Sequence, residues 1–309
     1  MTGVQTCALP IWEFLCVAGT GSAALATLSA AEPKRTPVVD THTHCFAGKA
    51  DARFPYHPRG TYQPELPTTP EFLLKLMDGA GVDHAVVVHP EPYQDDHRYL
   101  EYCLAVGQGR LKGTLLVFAD RPGSVEQLPD LAKRLPVVTA RIHAYLPDRL
   151  PPFGKPELRR LWQLAGDHGL AIQLHFVPEH AAGFEPHIRE FKQTRVIVDH
   201  LGRPFGAKAE DYGRVVRWAD FPNVVMKLSS LPVADAPEAA ELPRVLRRLA
   251  DAFGVDRLIY GGGFDEKATA ESYRRERERL ASLLNFLAPE ARAKVLGGNA
   301  AKFFGFASV

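Results

Sequence analysis

Pro37-Val38-Val39-Asp40-Thr41-His42-Thr43-His44 is a short apolar run that ends in chemistry. On a strand, residues two apart share a face, so His42 and His44 are expected to project together from its C-terminal end. Two imidazoles presented this way make half of a divalent-metal site. An isolated His-x-His is more often a pair of unrelated loop histidines, so the rest of the chain has to supply the other half.

The same grammar recurs downstream. Apolar, β-branched runs stand at Ala85-Val-Val-Val88, Gly113-Thr-Leu-Leu-Val-Phe118, Val137-Val-Thr-Ala-Arg-Ile142, Ala171-Ile-Gln-Leu174, Arg195-Val-Ile-Val198, Val224-Val-Met-Lys-Leu228 and Leu258-Ile-Tyr260. They are apolar throughout rather than alternating, as parallel strands buried on both faces are. Helical stretches lie between them: Glu71–Met77 behind Thr69-Pro70, then Asp96–Leu104, Pro156–Leu164, Tyr212–Trp218, Leu242–Ala250 and Ser272–Leu287. Thr69 reads as the first helix's cap, with proline in the first turn. Eight strands, most followed by a helix, predict one α/β domain, a single (β/α)8 TIM barrel. An open doubly wound sheet is the runner-up, but no Gly-x-Gly-x-x-Gly follows an early strand. The segment from Phe46 to Pro67 is long, rich in Pro and Tyr and without periodicity, which suits a lid or pocket wall after the first strand.

The bulk numbers fit one such domain. The chain has 309 residues, 46% hydrophobic content and a formal net charge of +1. Near-neutrality gives no electrostatic case for nucleic acid or an anionic membrane surface. No unbroken apolar run of about 18 residues is present, so no membrane-spanning helix is expected. Of the cysteines, Cys7 and Cys16 fall in an unusual N-terminal stretch, and Cys45 and Cys103 lack metal-finger spacing or a readable disulfide framework.

Residues 1–11 look like the read-through translation of a sequencing-library adapter and are set aside from fold reasoning. Residues 12–36 resemble the remnant of a bacterial export signal: a small, apolar, Gly- and Ala-rich stretch ends in Ser29-Ala30-Ala31 before polar residues. Glu13-Phe-Leu15 often follows the paired arginines of a twin-arginine signal, yet no Arg or Lys precedes position 34. The expectation is a native protein exported to the periplasm, whereas the chain as written, lacking the basic segment, would stay in the cytoplasm. The barrel domain is expected over 37–309.

In a barrel of this kind the active site forms at the C-terminal ends of the strands. Those ends carry His42 and His44, His89, Arg141 with His143, His175, Asp199-His200, Lys227 and Asp265. Six of the twelve histidines stand there, and this concentration, rather than any one of them, argues for a metal. A borderline divalent ion such as zinc takes three protein ligands and leaves a position open. His42, His44 and His175 fit that set; His200 is either a further ligand or a residue that holds or protonates the reacting group. His89 and His143 read as pocket wall, and His57, His84, His97, His168, His180 and His187 as surface or loop. Arg141, Lys227 and Arg203, with His143, are candidates for holding a substrate carboxylate or carbonyl; for Arg203 and Lys227 the competing reading is an ion pair with a local acid.

These residues carry a family likeness. Asp-Thr-His-Thr-His at 40–44, Leu-His-Phe at 174–176, Val-Asp-His-Leu-Gly-Arg-Pro at 198–204, Val-Met-Lys-Leu-Ser-Ser at 225–230 and Gly-Gly-Asn-Ala-Ala-Lys-Phe-Phe at 297–304 resemble the amidohydrolase-related ("amidohydrolase 2") family of the metal-dependent amidohydrolase superfamily, over nearly all of Val38 to Phe306. The segment at 198–204 points to its lactonase-like branch. The resemblance implies a barrel with His42, His44 and His175 at a metal and His200 beside it. It also implies an aspartate just after the eighth strand that binds metal or activates water. Here Arg257-Leu-Ile-Tyr-Gly-Gly-Gly-Phe-Asp265 puts Gly263 at that place, with Asp265 two residues late and Glu266 a weaker substitute. Either the glycine turn bulges and Asp265 reaches the site, or the site lacks its acid. The fourth strand reads Arg141-Ile-His143, without the superfamily's bridging lysine, so a two-metal centre is not expected.

The function expected from these readings is a hydrolase with one divalent ion, zinc in the first instance. It would open a small lactone or related ester or amide, with Asp265 as general base and His200 as the alternative base or donor. The partner is a small molecule, carboxylate-bearing in the favoured version, with homo-oligomerisation left open. The alternatives are a non-oxidative decarboxylase at the same metal and a non-catalytic ligand-binding barrel.

Overall fold

The computed structural model describes residues 35–307; segment 1–11 and all but the last two residues of segment 12–36 lie outside the described residues. Eight strands follow one another around a single sheet: β1 Val39–Thr43, β2 His84–Val88, β3 Leu111–Leu116, β4 Val137–Ala144, β5 Ala171–Phe176, β6 Val196–Val198, β7 Val224–Leu228 and β8 Leu258–Tyr260. Every neighbouring pair is parallel. Side chains tie the two sheet ends together. The Thr41 hydroxyl donates to the Tyr260 carbonyl at 2.6 Å, and Gly262 N–H donates to Asp40 Oδ1 at 2.8 Å. The result is the nearly closed (β/α)8 barrel that the strand count predicts.

Helices α1 (Pro70–Ala80), α2 (Arg98–Gly107), α3 (Pro122–Glu126), α4 (Leu128–Arg134), α5 (Pro156–Asp167), α6 (Ala181–Glu190), α7 (Ala209–Arg217), α8 (Leu242–Phe253), α9 (Ala270–Leu283), α10 (Pro289–Ala293) and α11 (Asn299–Phe304) carry the connections. The Thr69 hydroxyl accepts from Phe72 N–H, so α1 starts where its capping residue and Pro70 direct it. Helix α6 escapes sequence reading because Gly183 and Pro186 interrupt its period. None of the helices in the described residues is long and apolar enough to cross a membrane.

Strand periodicity divides the barrel interior into layers. Val39, Ala171, Ile197, Val225 and Ile259 form a small apolar cluster with Ala300, Ala301 and Phe304 of α11. Two residues further along the same faces stand Thr41, Gln173, Asp199, Lys227 and Gly261, all buried. The barrel is therefore greasy where α11 plugs it and polar where the strands end. The large apolar cluster between strands and helices, including Trp162, Trp218 and Phe184, supplies the bulk of the hydrophobic stabilisation.

Three histidines expected at the surface are buried instead. His84 stacks on Phe306 with ring centres 4.6 Å apart, His97 accepts from Leu116 N–H, and His187 lies against Trp162. Imidazole has enough apolar face to pack once a nitrogen finds a partner, and local sequence does not reveal that partner.

Candidate active site

The polar layer is organised around Asp199, which follows β6 and is fully buried. Arg141 of β4 binds its Oδ2 through Nε at 2.9 Å and a terminal nitrogen at 2.8 Å, and the Gln173 amide donates to the same oxygen. On the other side the Lys227 ammonium lies 3.2 Å from Oδ1 and donates to the Thr41 carbonyl at 2.9 Å. Burial alone would raise this carboxyl's pKa, but Lys227 and Arg141 outweigh it and hold it well below the ordinary carboxylate range. Burial pushes the Lys227 ammonium down, opposed by Asp199.

Asp40 is the second buried acid. Its Oδ1 accepts from His42 N–H and Gly262 N–H, and its Oδ2 accepts from the Tyr273 hydroxyl of α9 at 2.7 Å. Burial raises its pKa to about 6 despite those three donors. Asp199 and Asp40 are matched in number by Arg141 and Lys227, and the third buried acid, Glu91, pairs with Arg149 at 3.1 Å.

Above them the imidazoles meet. The His42 ring centre lies 4.9 Å from that of His44 and 4.7 Å from that of His200; His200 is 4.8 Å from His175, and His175 is 5.2 Å from His143. Burial depresses the pKa of each, to about 4 for His44 and about 3 for His200, so all five are neutral near pH 7 and can offer lone pairs. His44 donates from Nδ1 to the Val88 carbonyl at 2.7 Å, which turns its Nε2 towards His42 Nε2, 3.2 Å away. The Arg141 guanidinium, which can only donate, lies 3.4 Å from His200 Nε2, while His200 Nδ1 meets the hydroxyls of Ser229 and Ser230 at 3.0 and 2.8 Å. That fixes the tautomer: the proton sits on Nδ1 and the Nε2 lone pair faces Arg141.

A strained turn delivers His200. His200, Leu201, Gly202 and Arg203 all have positive φ, at 55°, 58°, 70° and 56°. Left-handed backbone costs a non-glycine residue roughly 1–2 kcal/mol. The anchored Asp199 and the Tyr212 hydroxyl, which donates to the Leu201 carbonyl, hold the turn in place.

His42, Asp199 and His200 each bring a donor atom within 4.8 Å of the others. His42 Nδ1 and Asp199 Oδ1 are buried and have no hydrogen-bond partner among the described residues; the Lys227 contact to Oδ1 has ion-pair distance but not hydrogen-bond geometry. This set overlaps the expected ligands only partly. His175 stands beside it, but its Nε2 accepts from Arg203 at 3.1 Å. Asp199, visible in the sequence as a strand-end acid, is the member to which sequence reading assigned no role.

A cavity of about 1110 Å3 opens over these groups, lined among others by His42, His44, Arg141, His143, His175 and His200. Lys227, expected to meet substrate, does not line it: the ammonium is wholly buried beneath, spent on Asp199 and Thr41. Arg203 is exposed beside His175, with no carboxylate within 4 Å among the described residues, and the ion pair weighed for it is not formed. The long loop after β1 contributes Tyr62, and the Glu91 carboxylate pins that loop by accepting from Thr61 N–H and its hydroxyl. Tyr145, unnoticed in the sequence, stacks on His175 with ring centres 4.3 Å apart.

The β8 turn takes an unusual path. Gly262 and Gly263 have φ of 126° and 102°, and a Cβ at Gly261 would lie 2.9 Å from His42 N. A Cβ at Gly263 would meet Glu276 Cβ and the Tyr273 ring, both at 3.1 Å. Asp265 lines the cavity as an exposed residue, with Oδ1 accepting from Lys267 N–H at 2.8 Å.

Residues 39–306 match the model of a family described as amidohydrolase. The chain is 29% identical over 258 residues to an L-fucono-1,5-lactonase of Burkholderia ambifaria, covering 76% of this chain and 84% of that one. It is 25% identical over 280 residues to a 4-sulfomuconolactone hydrolase of Hydrogenophaga intermedia, covering 86% and 88%. A crystal structure from Acinetobacter baumannii, described as a probable 2-pyrone-4,6-dicarboxylic acid hydrolase with citric acid bound, superposes with a TM-score of 0.72 at 18% identity, over 87% of this chain and 99% of that one. At that identity the last likeness speaks for the fold.

Proposed function

The chain belongs to the amidohydrolase family, and from that premise we propose that it opens a small, carboxylate-bearing lactone with water at one divalent ion. The observation that carries this reading is the convergence of neutral imidazoles and buried Asp199 at the strand ends, in a chain whose curated relatives are named as lactonases. The donor set suits a borderline cation: nitrogen and one carboxylate, with a buried nitrogen and a buried oxygen left without hydrogen-bond partners. His42, Asp199 and His200 would hold the ion, with His44 Nε2 next to them; His200 Nε2 would give up its long 3.4 Å contact to Arg141, and His175 would join only by giving up Arg203. Zinc is the first choice on ligand type. When bound, such an ion polarises a carbonyl and lowers the pKa of water towards about 7.

The remaining roles belong to the chain's own groups. Arg141 and Lys227 keep Asp199 ionised and in place. With Asp199 and Asp40 matched by Arg141 and Lys227, and Glu91 by Arg149, a further cation leaves the site positive, which favours an anionic substrate. His143 lines the cavity, Arg203 is exposed against His175, which also lines it, and Tyr62 and Tyr145 offer flat apolar walls. His200, neutral and with its lone pair on Nε2, serves as a ligand.

The test is metal analysis of purified protein with a lactone panel that includes sugar and muconate-type lactones. About one zinc per chain, lost in His42→Ala and Asp199→Asn together with lactone opening, is the expected result. Metal-free protein that opens no lactone, or variants that keep both ion and activity, would overturn the reading.

A further inference from the structure

We propose that Glu276 of α9 supplies the carboxylate that the β8 turn lacks, accepting the proton of the water that attacks the lactone; this rests on the hydrolytic reading above. Gly263 stands at the position where the family resemblance expects an acid. A Cβ built there would come within 3.1 Å of Glu276 Cβ, so the stem of Glu276 stands directly against the turn where the acid is missing. Glu276 lines the same cavity as His42, His44 and His200.

Its carboxylate is also available. The partner it has among the described residues is Arg279, at 3.4 Å, long for a charge-assisted hydrogen bond, and the side chain is 48% exposed. The other cavity acids are worse placed. Glu91 accepts from Thr61, Gln94 and Arg149. Asp265 spends an oxygen on Lys267 N–H in an exposed turn. Glu278, two residues along α9, points roughly 200° around the helix from Glu276.

Helix α9 is a firm support. Thr269 and Ser272 close a capping box at its start, and the Tyr273 hydroxyl is fixed on Asp40 one turn before Glu276. Arg274 and Arg277 donate to carbonyls of Gly79, Ala80 and Gly81 at the end of α1. Glu276 thus rides on an element clamped to β1, the strand that carries His42.

In the step assigned to it, the water oxygen bonds to the lactone carbonyl carbon while a water proton passes to a Glu276 oxygen. The carbonyl π pair moves to its oxygen, then returns as the ring C–O bond breaks. The ring oxygen leaves with that pair and takes the proton back from Glu276. The product is a hydroxy acid, and Glu276 is again a carboxylate.

Glu276→Gln, Glu276→Asp and Asp265→Asn are to be compared with wild type on whichever lactone turns over best. Glu276→Gln is expected to lose roughly 10²–10⁴-fold in kcat with little change in KM, and to lose the acidic limb of the pH profile, as removal of a general base does. Glu276→Asp should fall between, and Asp265→Asn should lose less kcat than Glu276→Gln and keep the acidic limb. A Glu276→Gln enzyme that keeps its kcat and acidic limb, or an Asp265→Asn enzyme that loses them, overturns the assignment. Wild type inert on every lactone would sink the hydrolytic reading instead. Placement of the carboxylate is then read by calorimetry with citrate: Glu276, held only by the long contact to Arg279, faces the cavity and repels the anion, so Glu276→Gln should tighten binding several-fold. Unchanged citrate affinity overturns the placement.

Discussion

Lys227→Met tests whether the buried ion cluster is the keystone of the site. The ammonium is fully buried, 3.2 Å from Asp199 Oδ1 and 2.9 Å from the Thr41 carbonyl. Leaving a buried charge without compensation costs about 3–5 kcal/mol. Arg141 remains on Oδ2, so the low end, about 3 kcal/mol, applies to Asp199. The orphaned Thr41 carbonyl adds about 1 kcal/mol. Methionine has nearly the same length and fills the slot, so a cavity penalty is small. With a urea m-value of about 3 kcal/mol/M for a domain of this size, the unfolding midpoint should fall by somewhat more than 1 M at pH 7. The pH dependence has a definite sign. Asp199 in the fold is held below its unfolded pKa, so its stabilisation is present above about pH 4 and is lost as pH falls through the folded value. Removing Lys227 shrinks that depression; the gap between variant and wild type should therefore be full at neutral pH and narrow in acid. Denaturation followed by circular dichroism at several pH values measures both. A midpoint within about 0.3 M of wild type at pH 7, or a gap that widens in acid, would show that Lys227 does not hold the buried cluster together. Asp199→Asn in the Lys227→Met background should not restore stability, because it leaves the buried Arg141 guanidinium without its carboxylate.

Tyr273→Phe removes the hydroxyl that donates to buried Asp40, a hydrogen bond to a charged group worth about 1.5–3 kcal/mol; thermal unfolding should show it, and a loss under about 0.5 kcal/mol would mean that water replaces the hydroxyl. Gly261→Ala would place a Cβ 2.9 Å from His42 N and 2.8 Å from His42 Cβ, and because backbone cannot yield as a side-chain tip can, a loss of about 1–3 kcal/mol is expected in chemical denaturation. Glu91→Gln leaves the loop that carries Tyr62 with a weaker acceptor for Thr61; limited proteolysis should cut faster between Phe46 and Thr68 while the barrel stays intact, and an unchanged cleavage rate would show that other contacts hold the loop.

What the sequence showed and what it hid divide along a physical line. Parallel strands buried on both faces leave unbroken apolar runs, so β7 and β8 can be bounded to the residue from sequence, whereas β1 extends through Thr43 because its later residues are polar yet still buried at the barrel mouth. The histidines at strand ends are legible for the same reason: strand ends put side chains in one place whatever the loops do. Partnerships across the barrel are not legible. Nothing local in Val-Met-Lys-Leu says that Lys227 turns inward to Asp199 rather than outward to substrate; that follows only once β6 and β7 are paired and their inward faces aligned. Glu276 is hidden more thoroughly, in an Arg- and Glu-rich helical run where no residue stands out by type. The glycine turn at 261–263 gave the hint, but sequence could say only that an acid was missing there. Which residue fills the vacated space depends on how α9 packs against the β8 turn, and Asp40, by holding both Gly262 N–H and the Tyr273 hydroxyl, is the residue that sets that packing.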